Sequence, residues 1–256
     1  MTLRASITAF THPGLDRPNN QDAVGIGAWF GEGTLWQPWR TQLAVERPLL
    51  CVIADGMGGH AAGEVASADV VRHLLDTAQG WENKGDVARS LGEADDGLHH
   101  RAAREPALAG MGTTVVGLLL MRNRLIWFNV GDSRLYRYRE GFLRQVSIDD
   151  VPSGDATAGP HRRSHIVSAS LGGRERNGFH PHIGEEPAVP SRWLLCSDGV
   201  SDMVDTAQIE AAMAGTDLEA WAGLFAGIME AGARDNFSII LVTIEVDDEQ
   251  GARNGP

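Results

Sequence analysis

The sequence predicts an α+β protein built as a four-layer αββα sandwich, with two antiparallel sheets flanked by helix pairs. Short apolar runs of strand length occur in both halves of the chain, and in the middle they are separated by turns rather than by helices. Two helical patterns follow the early strands, and two more precede the last strand. Strands joined by hairpins form antiparallel sheets, and paired helices can cover the outer faces of two such sheets.

The first part of the chain is predicted to contain three strands. Residues 2–10 alternate loosely between apolar and polar side chains, and residues 23–30 form a second alternating run. Residues 31–48 are too irregular for a long element, so we interpret them as a long hairpin connection. Residues 49–56 are an apolar run that ends in Asp-Gly, as expected for a buried strand followed by a turn.

Two helices are expected after a glycine-rich turn at residues 56–60. Apolar residues recur at helical spacing over both segments, which predicts one buried face for each helix. The faces are Val65, Ala68, Val71, Leu75 and Ala78 for the first helix, and Val87, Leu91, Ala94, Leu98 and Ala102 for the second. The turn matches neither G-x-x-x-x-G-K-[ST] nor G-x-G-x-x-G, which disfavours nucleotide binding of those kinds.

The middle of the chain has the pattern of consecutive strands, at residues 113–121, 124–130, 135–139 and 142–146. Because the intervening turns are short, we predict that these strands are adjacent and antiparallel. Residues 149–190 contain few apolar residues. They are predicted to form a mobile, reduced flap-like segment with one ordered piece at residues 166–171.

The C-terminal part is predicted to hold a strand at residues 193–197, a helix at 207–213 and a last strand at 237–246. Between the last two lies a helix whose apolar face is Leu218, Trp221, Ala222, Phe225, Ile228 and Met229. Residues 247–256 form a polar tail that we expect to be disordered. Residues 1–246 would then be a single domain.

Composition excludes several functional classes. The net charge is −12 and the pI is near 5.1, so a general nucleic-acid-binding surface is not expected. The two cysteines, Cys51 and Cys196, lie inside apolar runs, where buried free thiols are the ordinary interpretation. No basic leader and no apolar stretch of about eighteen residues occurs. We therefore expect a cytoplasmic protein that does not bind membranes, most simply a monomer.

Four carboxylates stand at ends of predicted strands. Asp55 and Asp198 each follow an apolar run and precede a glycine, Asp132 closes a third run, and Asp235 stands just before the last strand. Gly56, without a side chain, would let its backbone carbonyl approach a ligand beside Asp55. Carboxylate oxygens without Cys or His suit magnesium or manganese. The pattern therefore predicts a polynuclear metal site.

Six short motifs, in this order, give the chain a family resemblance. They are Arg17-x-x-Asn20-Gln21-Asp22, Asp55-Gly56-Met57-Gly58-Gly59-His60, Gly112-Thr113-Thr114, Gly131-Asp132-Ser133-Arg134, Ser197-Asp198-Gly199 and Asp235-Asn236. The set resembles the bacterial metal-dependent type 2C serine/threonine protein phosphatases of the PPM family. The resemblance runs from about residue 4 to 245 and implies an αββα sandwich with a dinuclear magnesium or manganese centre.

The resemblance also implies a role for each residue. Asp55 would bridge two metals, with the Gly56 carbonyl on one of them, while Asp198 and Asp235 would hold the other. A third ion would lie between Asp132 and Asp198. Asp22 would act through metal-bound water, and Arg17 would grip the substrate phosphate. Such a pair of cations neutralises a phosphate monoester and acidifies the attacking water, and an arginine offers phosphate a planar fork.

Three details differ from eukaryotic relatives of this family. Met57 stands where many of them carry a histidine proposed as the general acid, so water or His60 would have to supply that proton. Gln21 replaces a glutamate, and the segment after Val146 is a short version of the family's flap. The general acid therefore stays open.

The expected function is hydrolysis of phosphoserine and phosphothreonine in proteins, opposing a bacterial Ser/Thr kinase. One alternative is the branch that dephosphorylates an anti-sigma-factor antagonist. That branch usually lacks the intact first and fourth motifs. Another alternative is a pseudophosphatase that only binds phosphoproteins, although Asp55, Asp198 and Asp235 are all present.

Overall fold

The computed structural model describes residues 2–57, 61–151, 168–173 and 179–247. Fourteen strands and five α-helices lie in these ranges. The strands are β1 Thr2–His12, β2 Asp22–Ile26, β3 Trp29–Glu32, β4 Trp39–Ala44, β5 Leu49–Met57, β6 Gly112–Thr113, β7 Val115–Leu120, β8 Arg124–Val130, β9 Arg134–Arg139, β10 Phe142–Gln145, β11 Leu171–Gly172, β12 His182–Pro187, β13 Ser191–Cys196 and β14 Phe237–Asp247. The helices are α1 Ala61–Thr77, α2 Lys84–Arg104, α3 Asp198–Ser201, α4 Thr206–Met213 and α5 Asp217–Glu230.

The strands form two sheets, both paired antiparallel, which confirms the predicted α+β sandwich. The first sheet has the order β10-β9-β13-β14-β1-β4. The second contains β11-β6-β5-β7-β8-β12, and the β2–β3 hairpin joins it along β5. Helices α1 and α2 cover the second sheet, and α4 and α5, with the short α3, cover the first.

Alternation along the strands separates three cores. In β5, Leu50, Val52 and Ala54 face α1 and α2, whereas Leu49, Cys51 and Ile53 face the other sheet. The same period of two runs through β13, so that its alternate side chains meet either the opposite sheet or the helices on its outer face. A strand that is apolar on both faces is therefore buried in the middle of four layers, as the unbroken apolar runs predicted.

The two cysteines are buried in different cores. Cys51 lies between the sheets and Cys196 faces the helices of the first sheet. Both are free thiols, as expected from the sequence. Burial raises the pKa of Cys196 to about 12, and it raises that of Cys51 as well. Neither thiol is therefore ionised near neutral pH.

The four central strands do not all lie side by side, which corrects the prediction. Strands β7 and β8 pair with each other, and so do β9 and β10, but β8 belongs to the second sheet and β9 to the first. The chain changes sheets at residues 131–133, where Gly131 has a φ of +98°. A turn of that shape favours glycine because other residues are strained there.

Three further predictions were wrong. Residues 23–30 are not one strand but the two strands of the β2–β3 hairpin, which turns at Gly27 with a φ of +56°. Residues 31–48 are not one long connection, because they contain the end of β3 and the whole of β4, an edge strand beside β1. The segment 149–190 holds an unpredicted strand, β12, on the edge next to β8. Edge strands are half exposed and lack the continuous apolar run that marks a central strand.

The predicted helices are present, but the buried faces of α1 and α5 differ in phase from the prediction, and the short α3 was not predicted. Helix α1 buries Ala66, Val70 and Leu74, whereas the predicted Val65 and Leu75 are only partly buried. Helix α2 buries Val87, Leu91, Ala94 and Leu98 as predicted, whereas Ala102 is partly buried. Helix α5 buries Ile228 as predicted, but its other fully buried residues are Ala220 and Leu224, and Leu218 is 44% exposed. Trp221 and Phe225 pack at the edge of that face against Phe10. Their size made them look like the centre of the apolar face, although the smaller Ala220 is the residue that is fully buried.

Candidate active site

The predicted carboxylates meet at one end of the two sheets. Asp55 and Gly56 lie near the end of β5, Asp132 follows β8, Asp198 begins α3 after β13, and Asp235 precedes β14. All of them line one cleft of about 850 Å³, together with Arg17. Each sheet contributes strand ends to this cleft, so residues far apart in sequence face one another there.

Asp22 lies beneath the cleft rather than in its lining. It is the first residue of β2 and stands opposite Asp55 in the antiparallel register. Its side chain is 1% exposed, and its Oδ2 accepts hydrogen bonds from the hydroxyls of Ser197 (2.8 Å) and Ser238 (2.7 Å). Burial raises the pKa of Asp22 to about 6, although the two serine hydrogen bonds oppose the rise. The carboxyl is thus fixed in orientation from the side of the first sheet.

Asp55 is the carboxylate that the others surround. Its pKa is raised well above the ordinary value, first by burial and then by the charges of Asp22 and Asp198. The proximity of the Asp198 side chain and the charge of Asp132 raise the pKa of Asp55 further. The backbone of Asp55 is held by Thr114, whose N–H donates to the Asp55 carbonyl over 2.9 Å. Charge is therefore crowded at Asp55.

The same crowding reaches Asp198 and Asp132. Burial, and the charges of Asp235 and Asp202, raise the pKa of Asp198 to about 6 even though its hydrogen bond to Asp55 acts in the opposite direction. Burial and the charge of Asp198 raise the pKa of Asp132 to about 7. Carboxylates with raised pKa values in a common cleft favour a cation, because a cation removes their mutual repulsion.

Arg17 lies at the rim of the cleft and contacts a predicted metal ligand. Its Nη2 donates to Asp235 Oδ2 over 2.6 Å, and the Arg17 side chain is 53% exposed. The other oxygen of Asp235 accepts the backbone N–H of Asn236 over 2.8 Å. The hydrogen bond and charge of Asp235 raise the pKa of Arg17. The predicted phosphate ligand is thus paired with Asp235 in this structure.

Two glycines allow the backbone to pack closely around the carboxylates. A Cβ on Gly56 would lie 2.1 Å from the carbonyl oxygen of Gly63, and one on Gly199 would lie 2.0 Å from that of Asn236. Both distances are far inside van der Waals contact. The glycine after each of the two aspartates is therefore required by packing of the site.

Sequence reasoning missed the residues that shape the cleft from behind. Asn236 stood in a predicted motif without a role, and its side chain organises the loop between β1 and β2. Its Oδ1 accepts the backbone N–H of Gln21 over 2.8 Å, and its Nδ2 donates to the carbonyls of Pro13 and Asn19. Asp202, Met203, Thr114 and Arg234 also line the cleft. No local pattern marks these residues, because their partners are distant in sequence.

A buried ion pair supports the turn that carries Asp132. Arg134, the fourth residue of the Gly-Asp-Ser-Arg motif, is 6% exposed and donates from Nε and Nη2 to Asp149, the closest pair being 2.6 Å apart. The next residue, Asp150, accepts the backbone N–H of Gly131 over 2.9 Å. The start of the predicted flap is thus fastened to the turn that holds Asp132. His60 and residues 152–167 of the flap lie outside the described residues, as does residue 248 onward.

The donor set fits a hard divalent cation. The acidic side chains of the cleft offer carboxylate oxygens, and no Cys or His lines it among the residues that the structure describes. In the same ranges no three His, Cys, Asp or Glu side chains already enclose one ion position.

A four-layer αββα sandwich with an acidic cleft at one end of its sheets defines the class of this protein, and comparison with known proteins gives the family. A family model described as protein phosphatase 2C matches residues 37–237, so the chain belongs to the protein phosphatase 2C family. The resemblance seen in the six motifs is thereby confirmed.

Curated bacterial relatives extend over most of the chain. Serine/threonine protein phosphatase PstP of Mycobacterium tuberculosis is 32% identical over 265 residues, which cover 98% of this chain and 47% of the relative. Serine/threonine phosphatase stp of Listeria innocua is 30% identical over 219 residues, covering 75% of this chain and 83% of the relative. The chain thus spans about half the length of the mycobacterial relative.

Solved structures show the same fold. The crystal structure of the Mycobacterium tuberculosis serine/threonine phosphatase PstP/Ppp has a TM-score of 0.76 and 30% identity, covering 96% of this chain and 100% of that one. The catalytic domain of PstP in complex with two manganese ions has a TM-score of 0.78, with 29% identity and the same coverage. No helix in the part of the chain that the structure describes is long and apolar enough to cross a membrane.

Proposed function

We propose that this chain is a metal-dependent phosphatase that hydrolyses phosphoserine and phosphothreonine in proteins. The observation that carries the proposal is the meeting of Asp55, Asp132, Asp198, Asp235 and Arg17 in one cleft. Relatives named serine/threonine phosphatases support the substrate class. Because a phosphorylated serine or threonine must first be made, a cognate Ser/Thr kinase is part of the proposal.

We infer that manganese or magnesium occupies the cleft in two positions. Asp55 and the Gly56 carbonyl would contribute to one, and Asp55, Asp198 and Asp235 to the other. A third position would use Asp132 and Asp198, whose charges already act on each other. When bound, such ions neutralise a phosphate dianion and acidify a water molecule for attack on phosphorus. A manganese-containing structure of a relative supports the choice of metal.

The chain's own residues bind the substrate phosphate and orient the groups of the site. Arg17 is exposed at the rim, so its guanidinium can exchange Asp235 for two oxygens of a substrate phosphate. Asp22 is buried behind Asp55 and its orientation is fixed by two serines, so its carboxyl is placed to act through a metal-bound water. Met57 lines the cleft but has no proton to donate to the leaving oxygen.

We also infer that residues 1–246 act as one catalytic unit. The support is topological: β1 from the start of the chain pairs with β14 from its end over their full lengths. The functional carboxylates come from both sheets. A domain boundary anywhere in the sequence between β1 and β14 would therefore split both the first sheet and the cleft.

Hydrolysis assays with purified protein test this function. We expect phosphate release from para-nitrophenyl phosphate and from a phosphothreonine peptide in the presence of Mn²⁺, abolished by EDTA and restored by excess Mn²⁺. Asp198→Asn is the matched inactive control, because it removes one ligand charge while keeping size. Tight binding of Mn²⁺ and phosphopeptide without turnover would overturn the proposal and indicate a phosphoprotein-binding pseudophosphatase. Turnover limited to one phosphorylated anti-sigma-factor antagonist would instead assign the chain to the branch of the family that dephosphorylates such antagonists.

A further inference from the structure

A second pocket lies beside the catalytic cleft, and Asp22 is the one described residue of its lining that has a role in the proposed reaction. It has a volume of about 360 Å³ and is lined by residues 18–20 and 32–34, with Pro13, Asp22, Ala23 and Glu64. We call it the flanking pocket. The β1–β2 loop separates it from the cleft, since Arg17 and Gln21 line the cleft while residues 18–20 line the pocket.

The flanking pocket is acidic and holds a carboxylate oxygen without a partner. Three of its lining residues, Asp22, Glu32 and Glu64, are acidic, and among the described residues that line it none is Lys, Arg or His. Glu64 Oε1 is buried and makes no hydrogen bond in the described part of the chain. The outward-facing Glu32 contacts Arg72 at 3.4 Å, with both side chains at least half exposed, which is a weak pair.

Asp22 adds negative charge from the floor of the pocket. It is 1% exposed and lines the pocket, and its Oδ1 accepts no hydrogen bond from a donor group of the described chain. In the strand register it stands opposite Asp55, which is also a carboxyl group. A buried carboxylate oxygen without a donor costs free energy, so the site favours a ligand that brings N–H donors and positive charge.

The walls of the pocket are fixed by hydrogen bonds before any ligand arrives. Asn20 is buried, and its Nδ2 donates to Thr11 Oγ1 over 2.7 Å and to the Gly33 carbonyl over 2.5 Å. This side chain therefore ties one wall, the β1–β2 loop, to the other, the turn after β3. Gly33 has a φ of +72°, a conformation that favours glycine. A prearranged pocket loses little entropy on binding.

We propose that the flanking pocket binds the arginine or lysine side chain of a substrate residue close to the phosphorylated one. This inference rests on the proposed function and adds a sequence preference to it. Arg17, which would hold the phosphate, and Pro18, which lines the pocket, are consecutive residues whose Cα atoms are about 3.8 Å apart. An extended peptide advances about 3.3 Å per residue, so the basic residue lies within about three positions of the phosphothreonine. Glu64 accepts its N–H groups, and arginine can do so with two parallel hydrogen bonds.

Binding of paired phosphopeptides tests the proposal without relying on turnover. Fluorescent phosphothreonine peptides carry arginine or glutamine at one of the three positions on either side, and anisotropy with the Asp198→Asn protein gives Kd without hydrolysis. At one position or more, we expect the arginine peptide to bind about tenfold more tightly than its glutamine counterpart. Adding Glu64→Gln, which keeps the shape of the side chain, should reduce that ratio to about twofold or less.

A matched control variant distinguishes binding in the flanking pocket from a general attraction between an acidic protein and a basic peptide. Asp76 lies on the same helix as Glu64, about 18 Å along its axis, and Asp76→Asn removes the same charge. Asp76→Asn should leave the arginine preference unchanged. Glu32→Gln, at the exposed rim, gives a second variant that does not disturb buried packing and should weaken the preference part of the way.

Three results would overturn the flanking-pocket proposal: equal Kd values for arginine and glutamine peptides at every position, a preference that survives Glu64→Gln, or one that falls equally with Asp76→Asn. Hydrolysis of para-nitrophenyl phosphate is measured in parallel with Glu64→Gln in the otherwise unchanged protein, and it should change by less than about twofold. If the protein without substitutions does not hydrolyse para-nitrophenyl phosphate, the proposed function is contradicted. The peptide Kd values would still show whether the flanking pocket binds a basic side chain.

Discussion

At the scale of single residues, the site is a set of carboxylates that destabilise one another in isolation. Asp22, Asp132 and Asp198 have pKa values raised to about 6, 7 and 6, and the pKa of Asp55 is raised well above its ordinary value. Burial is the largest cause for each, and the neighbouring charges add to it. The arrangement therefore favours cation binding at the cost of the stability of the fold without a cation, a common compromise at functional sites.

Asp198→Asn should abolish turnover while leaving the protein folded. The substitution keeps the size of the side chain and removes one charge from a repulsive cluster, so the free energy of unfolding should be unchanged or rise by up to about 1 kcal/mol. Initial rates with para-nitrophenyl phosphate and the thermal unfolding midpoint measure the two effects. Turnover near that of the unchanged protein would refute the assignment of Asp198.

Arg17→Ala should raise KM for phosphate esters by about tenfold or more and change kcat less than about threefold. The guanidinium binds phosphate in the ground state and in the transition state alike, so its loss weakens binding in both. Arg17 also pairs with Asp235 at 2.6 Å, and its removal should make Mn²⁺ bind more tightly because the cation no longer competes with it.

Steady-state kinetics and calorimetric Mn²⁺ titration separate these two effects of Arg17. Arg17→Lys keeps the charge without the planar fork and should fall between the other two proteins in both measurements. A large loss of kcat at constant KM would contradict the role of Arg17 in ground-state binding.

Sequence reasoning found the acidic residues of the site but not what holds them. Asp55, Asp132, Asp198 and Asp235 stand at strand ends, and that pattern is local and readable. The serines that bind Asp22 and the amide of Asn236 that ties down the β1–β2 loop act across the fold. Such contacts depend on which strands become neighbours, which no window of the sequence contains.

At the scale of elements, some glycines are required because a Cβ would clash with a neighbouring element, whereas others stand where a Cβ would fit. Gly92 lies inside helix α2, and a Cβ added there meets nothing within 4 Å. Gly56, in β5, has no such space, because its Cβ would lie 2.1 Å from the Gly63 carbonyl.

Gly92→Ala should stabilise the protein by roughly 0.5 to 1 kcal/mol, because alanine loses less backbone entropy in a helix. Gly56→Ala should destabilise it by about 3 kcal/mol or more and abolish activity, since strand and helix must move apart. Urea unfolding of both variants measures the difference. A stable, active Gly56→Ala protein would show that the approach of α1 to β5 is not essential.

Central strands were predictable and edge strands were not. Residues 124–130 were assigned to a strand with the bounds that the structure has, because both faces of β8 are buried and its apolar run is nearly continuous. Strands β4 and β12 are only partly buried, and they are strands because β1 and β8 offer them hydrogen-bonding edges. For helix α5 the sequence pattern correctly predicted a helix. The buried face was assigned wrongly, because it was centred on the large side chains.

At the scale of the whole molecule, metal binding should be coupled to stability. A cation that binds the folded cleft and not the unfolded chain adds about 2.7 kcal/mol when its concentration is a hundred times Kd. For a chain of this size that corresponds to a rise of about 5 to 10 °C in Tm.

We therefore expect Mn²⁺ to raise the calorimetric Tm and EDTA to reverse the rise. Asp198→Asn should show a much smaller increase at the same Mn²⁺ concentration, because it lacks one ligand charge. An equal increase in both proteins would mean that the stabilising ion binds elsewhere.

The pairing of β1 with β14 also determines how the molecule responds to force. The two strands are antiparallel with Thr2 opposite Asp247 and His12 opposite Phe237, so residues 2 and 247 lie at the same end of the strand pair. Tension applied between residues 2 and 247 acts across the ladder and loads its hydrogen bonds one pair at a time. The fold should unzip from this seam at low force, and separation would travel toward Ser238, which binds Asp22, and so reach the catalytic end of the sheets last.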